Sequence, residues 1–158
     1  MLVISDTSTV TNLIQIGKLD LLEKLFGEVL IPQKVYEELS DYENQKVQLD
    51  SCDWILVKTV SDRRAVAELR EILDAGEAEA IILAQESKAD FLIIDERKGR
   101  KVAEERGLRI VGLLGVLTRA KKAGHISRLK PLLDILIEDI GFRISRNLYD
   151  RILRNVGE

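Results

Sequence analysis

Two short apolar runs constrain this chain more than anything else in it: Leu2-Val3-Ile4-Ser5-Asp6 at the start and Phe91-Leu92-Ile93-Ile94-Asp95-Glu96 further on. Each is too short for a helix, is apolar at successive positions, and ends in an acid. Strands that bury both faces read this way, and they belong to parallel sheets covered by helices. Helical periodicity follows each run, with Val10, Leu13 and Ile14 after the first and residues 97–106, closed by Gly107, after the second. In open parallel sheets, ligands bind just outside the carboxyl ends of the strands. If the two strands are neighbours, Asp6 and Asp95 converge on one crevice. The plainer role for Asp6 or Ser8, capping the helix that follows, accounts for the first run equally well.

Further strands are predicted at 28–31, 54–57 and 108–111. Between them lie helices over 20–26, opened by Asp20 and closed by Gly27, over 33–42, and over 65–73. A helix including 77–84 is apolar on nearly every side, and another spans 113–123. The alternation predicts an α/β fold, three layers α/β/α around a central parallel sheet of four or five strands. Two more helices, 131–140 and 145–156, follow as a C-terminal hairpin, the second opened by Ser145 and stopped by Gly157. The expected organisation is a domain over 1–124 with a helical extension over 125–158 packed on it.

Only 4% of the 158 residues are aromatic while 46% are hydrophobic, so the core must be aliphatic. The lone Cys52 excludes an internal disulfide and points to a reducing compartment. No secretory segment and no apolar run of membrane-spanning length is present, and a cytoplasmic protein without a membrane partner is expected. Charge is unevenly placed. Residues 1–96 carry 9 Lys and Arg against 20 Asp and Glu, a net of −11, whereas residues 97–130 carry 11 against 2, a net of +9. An acidic body beside a basic stretch fits a cation site next to a phosphate-binding surface; solvated helix faces give the same pattern.

The acids single themselves out by position. Glu38 lies beside the apolar stripe Val35, Leu39 and Tyr42, while Glu37 points away from it. Glu77 falls in the first turn of a buried helix, where the helix dipole favours a carboxylate. Glu79 lies one step deeper, with Ile82 and Leu83 on its own face, and a buried carboxylate is costly unless it is paired or binds a metal. Glu79 is therefore the stronger candidate of the two. Oxygen ligands without His or Cys select a hard cation, Mg2+ or Mn2+. The spacing argues against zinc, since Cys52 and His125 are each single and neither has a partner at ligand spacing. Such a site lowers the pKa of a bound water and neutralises charge on a phosphoryl centre.

Taken in order, Ile4-Ser5-Asp6-Thr7-Ser8, Val29-Leu30-Ile31-Pro32 with Val35-Tyr36-Glu37-Glu38-Leu39, Gly76-Glu77-Ala78-Glu79-Ala80-Ile81 and Leu92-Ile93-Ile94-Asp95-Glu96-Arg97-Lys98 resemble the PIN-domain nucleases. The likeness is greatest to the prokaryotic branch related to VapC toxins, and it covers roughly residues 1–124. The resemblance implies a Mg2+- or Mn2+-dependent endoribonuclease. The family's acids would fall on Asp6, Glu38, Glu79 and, at the later strand end, on Asp95 in preference to Glu96. Ser8 would orient a metal ligand or water. The chain departs from the family at Glu79, where Asp is usual, and at Ile94, where Thr is common. Arg97, Lys98, Arg100 and Lys101 would contribute to the RNA-binding surface. A small antitoxin partner is implied by the toxin branch, and the added C-terminal helices leave room for a homodimer. A non-catalytic PIN-like module that binds RNA or protein is the alternative expectation.

Overall fold

The computed structural model describes residues 1–158. Its centre is β1 (Val3–Ser5), whose three residues are all buried. β2 (Val29–Pro32), β3 (Ile55–Lys58), β4 (Phe91–Ile93) and β5 (Ile110–Val111) complete one parallel sheet in the order β3-β2-β1-β4-β5. Ile4 pairs with Leu30 on one side and with Leu92 on the other. Because every strand runs the same way, the residues that follow β1 and β4 emerge side by side at one edge. The convergence of Asp6 and Asp95 expected from neighbouring strands takes a concrete form, since the Asp95 amide donates to Asp6 Oδ2 at 3.1 Å.

The alternation of the strands divides the core in two. Val3, Val29, Ile31, Ile93 and Val111 face one layer of helices. Ile4, Leu92 and Ile94 face the other. The first layer holds α1 (Thr7–Gln15), α2 (Asp20–Phe26) and α3 (Gln33–Leu39), then α4 (Glu43–Asp50), which contributes Leu49. The second holds α5 (Arg63–Leu69), α6 (Ala75–Ser87) and α7 (Arg97–Glu105). α6 is buried without a break from Gly76 to Ala84. Small alanines let it lie close to the sheet, and it contacts β1, β2, β4 and α3. The result is the three-layer α/β/α fold, with five strands.

α8 (Leu113–Lys122), α9 (Lys130–Ile135) and α10 (Arg146–Asn155) close the first layer. α9 runs on into a π-helical turn over Leu136–Ile140, which Gly141 ends in the left-handed region at φ 79°. The Ser145 hydroxyl accepts from the Leu148 amide at 3.2 Å and caps α10, as its position predicts. Leu132, Leu133, Leu136, Tyr149, Ile152 and Leu153 belong to the same apolar cluster as β1 and α1.

Several local expectations differ from the structure. The helix expected over 65–73 spans Arg63–Leu69. The helix expected over 33–42 stops at Leu39, and Tyr42, read as part of its apolar stripe, is exposed. α4 then starts at Glu43; it has no sequence signature because only Gln45 and Leu49 of its eight residues are buried. Asp20 sits inside the first turn of α2, with Leu19 at the cap position.

Leu133 is 1% exposed within the first cluster. Its replacement by Ala is expected to lower the unfolding free energy by about 2–5 kcal/mol, read by urea denaturation, with sheet and C-terminal helices unfolding in one transition. Unchanged stability would show that these helices are not part of the core.

Candidate metal centre

Asp6 leaves the buried end of β1 in extended backbone, φ −78° and ψ −179°, and is the N-cap of α1. Its side chain is 1% exposed. Oδ1 accepts from the Thr9 amide at 3.0 Å, and Oδ2 accepts from the Ser8 hydroxyl and the Asp95 amide, both at 3.1 Å. Capping and site are thus the same carboxylate. Burial raises its pKa to about 6, against these hydrogen bonds, which favour the charged form.

Four more acids meet it around a cavity of about 240 Å³. Glu38 arrives on α3, which Pro32 starts directly at the end of β2, and its Oε1 accepts from the Thr7 hydroxyl at 3.3 Å. Burial, then the Asp74 charge, push its pKa up. Glu37 stays exposed beside Lys34 at 3.8 Å, as its helical phase predicts. Asp74 caps α6, accepting from the Glu77 amide at 2.8 Å. Glu77 is 7% exposed, and its Oε2 is buried with no hydrogen-bond partner. Burial first, and then Asp74 and Glu96, raise its pKa to about 8. Glu96 precedes α7 with its carboxylate uncommitted to the helix end. Oxygens of Asp74, Glu77 and Glu96 all lie within 4.8 Å of one another. Thr11 and Asn12 of α1 complete the lining, with no apolar side chain and no cationic one.

Two glycines make room for these acids. A Cβ on Gly76 would collide with Glu38 Oε1 and stand 3.1 Å from the Thr7 hydroxyl. A Cβ on Gly99 would stand 2.6 Å from Glu77 Oε2 and 2.7 Å from Ile94 Cδ1. The backbone of α6 and α7 can therefore approach the carboxylates only because both positions lack a side chain.

The structure brings Asp6, Glu38 and Glu96 together and adds Asp74 and Glu77, which the sequence-based site omitted. Glu79 lies elsewhere. Two residues along an α-helix is a turn of about 200°, which carries its side chain away from Glu77. Its Oε1 accepts from the Lys34 amide at 3.1 Å, and its Oε2 from Arg63 Nη1 at 2.9 Å. A buried carboxylate was expected to be paired or to bind metal, and this one is paired. Asp95 also turns out of the cavity: its Oδ1 accepts from the Leu113 amide at 3.1 Å and caps α8. Successive residues of extended chain point to opposite sides, so Glu96 faces the cavity. Ser8 lines it as well. Arg97, Lys98 and Lys101 are exposed on α7, whereas Arg100 is half-buried and donates to the Ile94 carbonyl at 3.5 Å. The signal for the missing pair was a capping box, Asp74-x-x-Glu77, in front of an apolar run.

The raised pKa values fix a sign for stability. Asp6 and Glu77 hold protons more tightly folded than unfolded, so their contribution is fully present below the unfolded values near 4 and is lost as pH rises through about 6 and about 8. The metal-free melting temperature is expected to fall between about pH 6 and about pH 8. Glu77→Gln flattens that fall, and Mn2+ reverses it. A melting temperature that rises across this interval would contradict the assignment.

A family model, DUF3368, described as PIN domain, matches residues 2–158. No curated protein and no solved structure matches the chain. The matched span is nearly the whole chain and includes the C-terminal helices, and its description agrees with the acidic cavity at the carboxyl edge of a parallel sheet. The chain belongs to the PIN-domain family.

Proposed function

We propose that this chain is a Mg2+- or Mn2+-dependent endoribonuclease that hydrolyses RNA phosphodiester bonds at the acidic cavity. One observation carries the reading: five carboxylates share a cavity that no Lys or Arg lines, and one of them, Glu77, has a buried oxygen with no partner. Raised pKa values of Asp6 and Glu77 relieve part of this charge in the metal-free chain, and a divalent cation would relieve it with the carboxylates ionised. An all-oxygen donor set fits a hard divalent cation. PIN domains are generally metal-dependent nucleases, and the acidic cluster is compatible with that chemistry.

Asp74, Glu77 and Glu96, whose oxygens lie within 4.8 Å of one another, would hold the cation, with Asp6 and Glu38 beside them on the same cavity wall. When bound, the cation supplies an activated water and neutralises charge on the phosphoryl group. The chain's own residues do the rest. Ser8, Thr9 and the Asp95 amide hold the Asp6 carboxylate in one orientation. Thr7 does the same for Glu38. Thr11 and Asn12 offer hydrogen-bonding groups to the substrate from the wall of the cavity. A toxin role in the cytoplasm, opposed by a small antitoxin protein, extends this reading and is carried by the resemblance to the VapC branch. Self-association as a homodimer extends it in the same way.

The purified protein is expected to cut single-stranded RNA with Mn2+ and to stop in EDTA. Asp6→Asn should reduce cleavage to background; cutting at the wild-type rate would end the proposal. Calorimetry with Mn2+ separates the acids: Glu77→Gln should weaken binding by more than about tenfold, while Glu79→Gln should leave it unchanged. The reverse pattern would return Glu79 to the site.

A further inference from the structure

The loop that follows β4 separates two cavities of opposite character. On one side, Glu96 faces the acidic centre. On the other, Asp95 and Arg100 border a larger groove of about 600 Å³ along the β5 edge of the sheet. Arg100 comes from α7, Arg119 from α8 and Arg151 from α10, so three helices each deliver one guanidinium. None of the three forms an ion pair within the protein. Arg119 is held by stacking over the Phe91 ring, 4.9 Å from its centroid. Gly115 lines the floor where a Cβ would stand 3.0 Å from Val111 Cγ1, and Ile152, anchored in the core, gives an apolar wall beside Arg151.

We infer that this groove binds the phosphodiester backbone of single-stranded RNA on one side of the scissile bond, and that the C-terminal helix α10 is one of its walls. The ligand class rests on the nuclease reading; the location rests on the groove itself. A positively charged groove is the part of a single-strand site that follows the phosphodiester backbone; with aliphatic walls and no aromatic side chain in its lining, this groove fits the backbone and not stacked bases. An acidic peptide would satisfy the arginines equally. Continuity favours RNA: a strand whose phosphate lies in the acidic cavity has a neighbouring path, just across the Asp95–Glu96 turn, where the charge changes to positive. Arg100, one of the four basic residues singled out in the sequence, lines this path; Arg119 and Arg151 were not among them.

The test is fluorescence anisotropy with a labelled uridine dodecamer in EDTA, where binding is read without cleavage. Arg119→Ala and Arg151→Ala should each weaken binding by about tenfold at low salt, and each should reduce the salt slope by about 0.7. Arg151→Lys should keep the slope. Both arginines are exposed, so the fold should tolerate the changes. Arg106→Ala, on the same protein but bonded to Gln85 outside the groove, should bind as wild type. Wild-type affinity in both groove variants would overturn the proposal, as it would if the groove held a protein partner instead, and would leave the nuclease reading untouched. RNA binding lost in both variants would support it even in a chain that does not cleave. Failure of the wild-type protein to bind the dodecamer would also overturn it.

Discussion

The Asp6 carboxylate ties together the elements on which the site depends. It ends β1, caps α1 through Thr9, and accepts the amide of Asp95 from the end of β4. Three pieces of backbone are therefore positioned by one buried acid. An unpaired carboxylate at 1% exposure would be prohibitively costly; the donated hydrogen bonds make the burial tolerable. They offset only part of the desolvation, so its pKa stays raised.

The same tension runs through the rest of the cavity. Glu38, Asp74, Glu77 and Glu96 are brought near Asp6 by elements whose positions are set by apolar packing on both faces of the sheet. Gly76 and Gly99 remove the side chains that would otherwise hold α6 and α7 away. The core thus crowds carboxylates together, and their burial and mutual repulsion hold the pKa values of Glu38 and Glu77 up. Across the β4–α7 turn the charge reverses, and the C-terminal helices, which pack into the first core, also border the basic groove.

Much of this was legible in the residues themselves. The apolar runs ending in acids predicted the parallel sheet and the approach of Asp6 to the end of β4. The phase of α3 separated Glu38 from Glu37. Two side chains lie where periodicity does not reach. A buried carboxylate needs a partner, and periodicity cannot show that Arg63 and the Lys34 amide, distant in sequence, supply one to Glu79. Asp95 and Glu96 both follow the strand, and only the position of α8 decides which of them caps a helix.

Sequence by itself determined the layers, the direction of the strands and the edge at which the acids gather, because these follow from local periodicity and from the burial of both strand faces. Tertiary structure alone decided which acids share a cavity and which are neutralised elsewhere. That choice depends on contacts between residues far apart in the chain and on a step of two residues along α6, about 200° around the helix, which separates Glu77, with its unpartnered oxygen, from Glu79, already paired with Arg63.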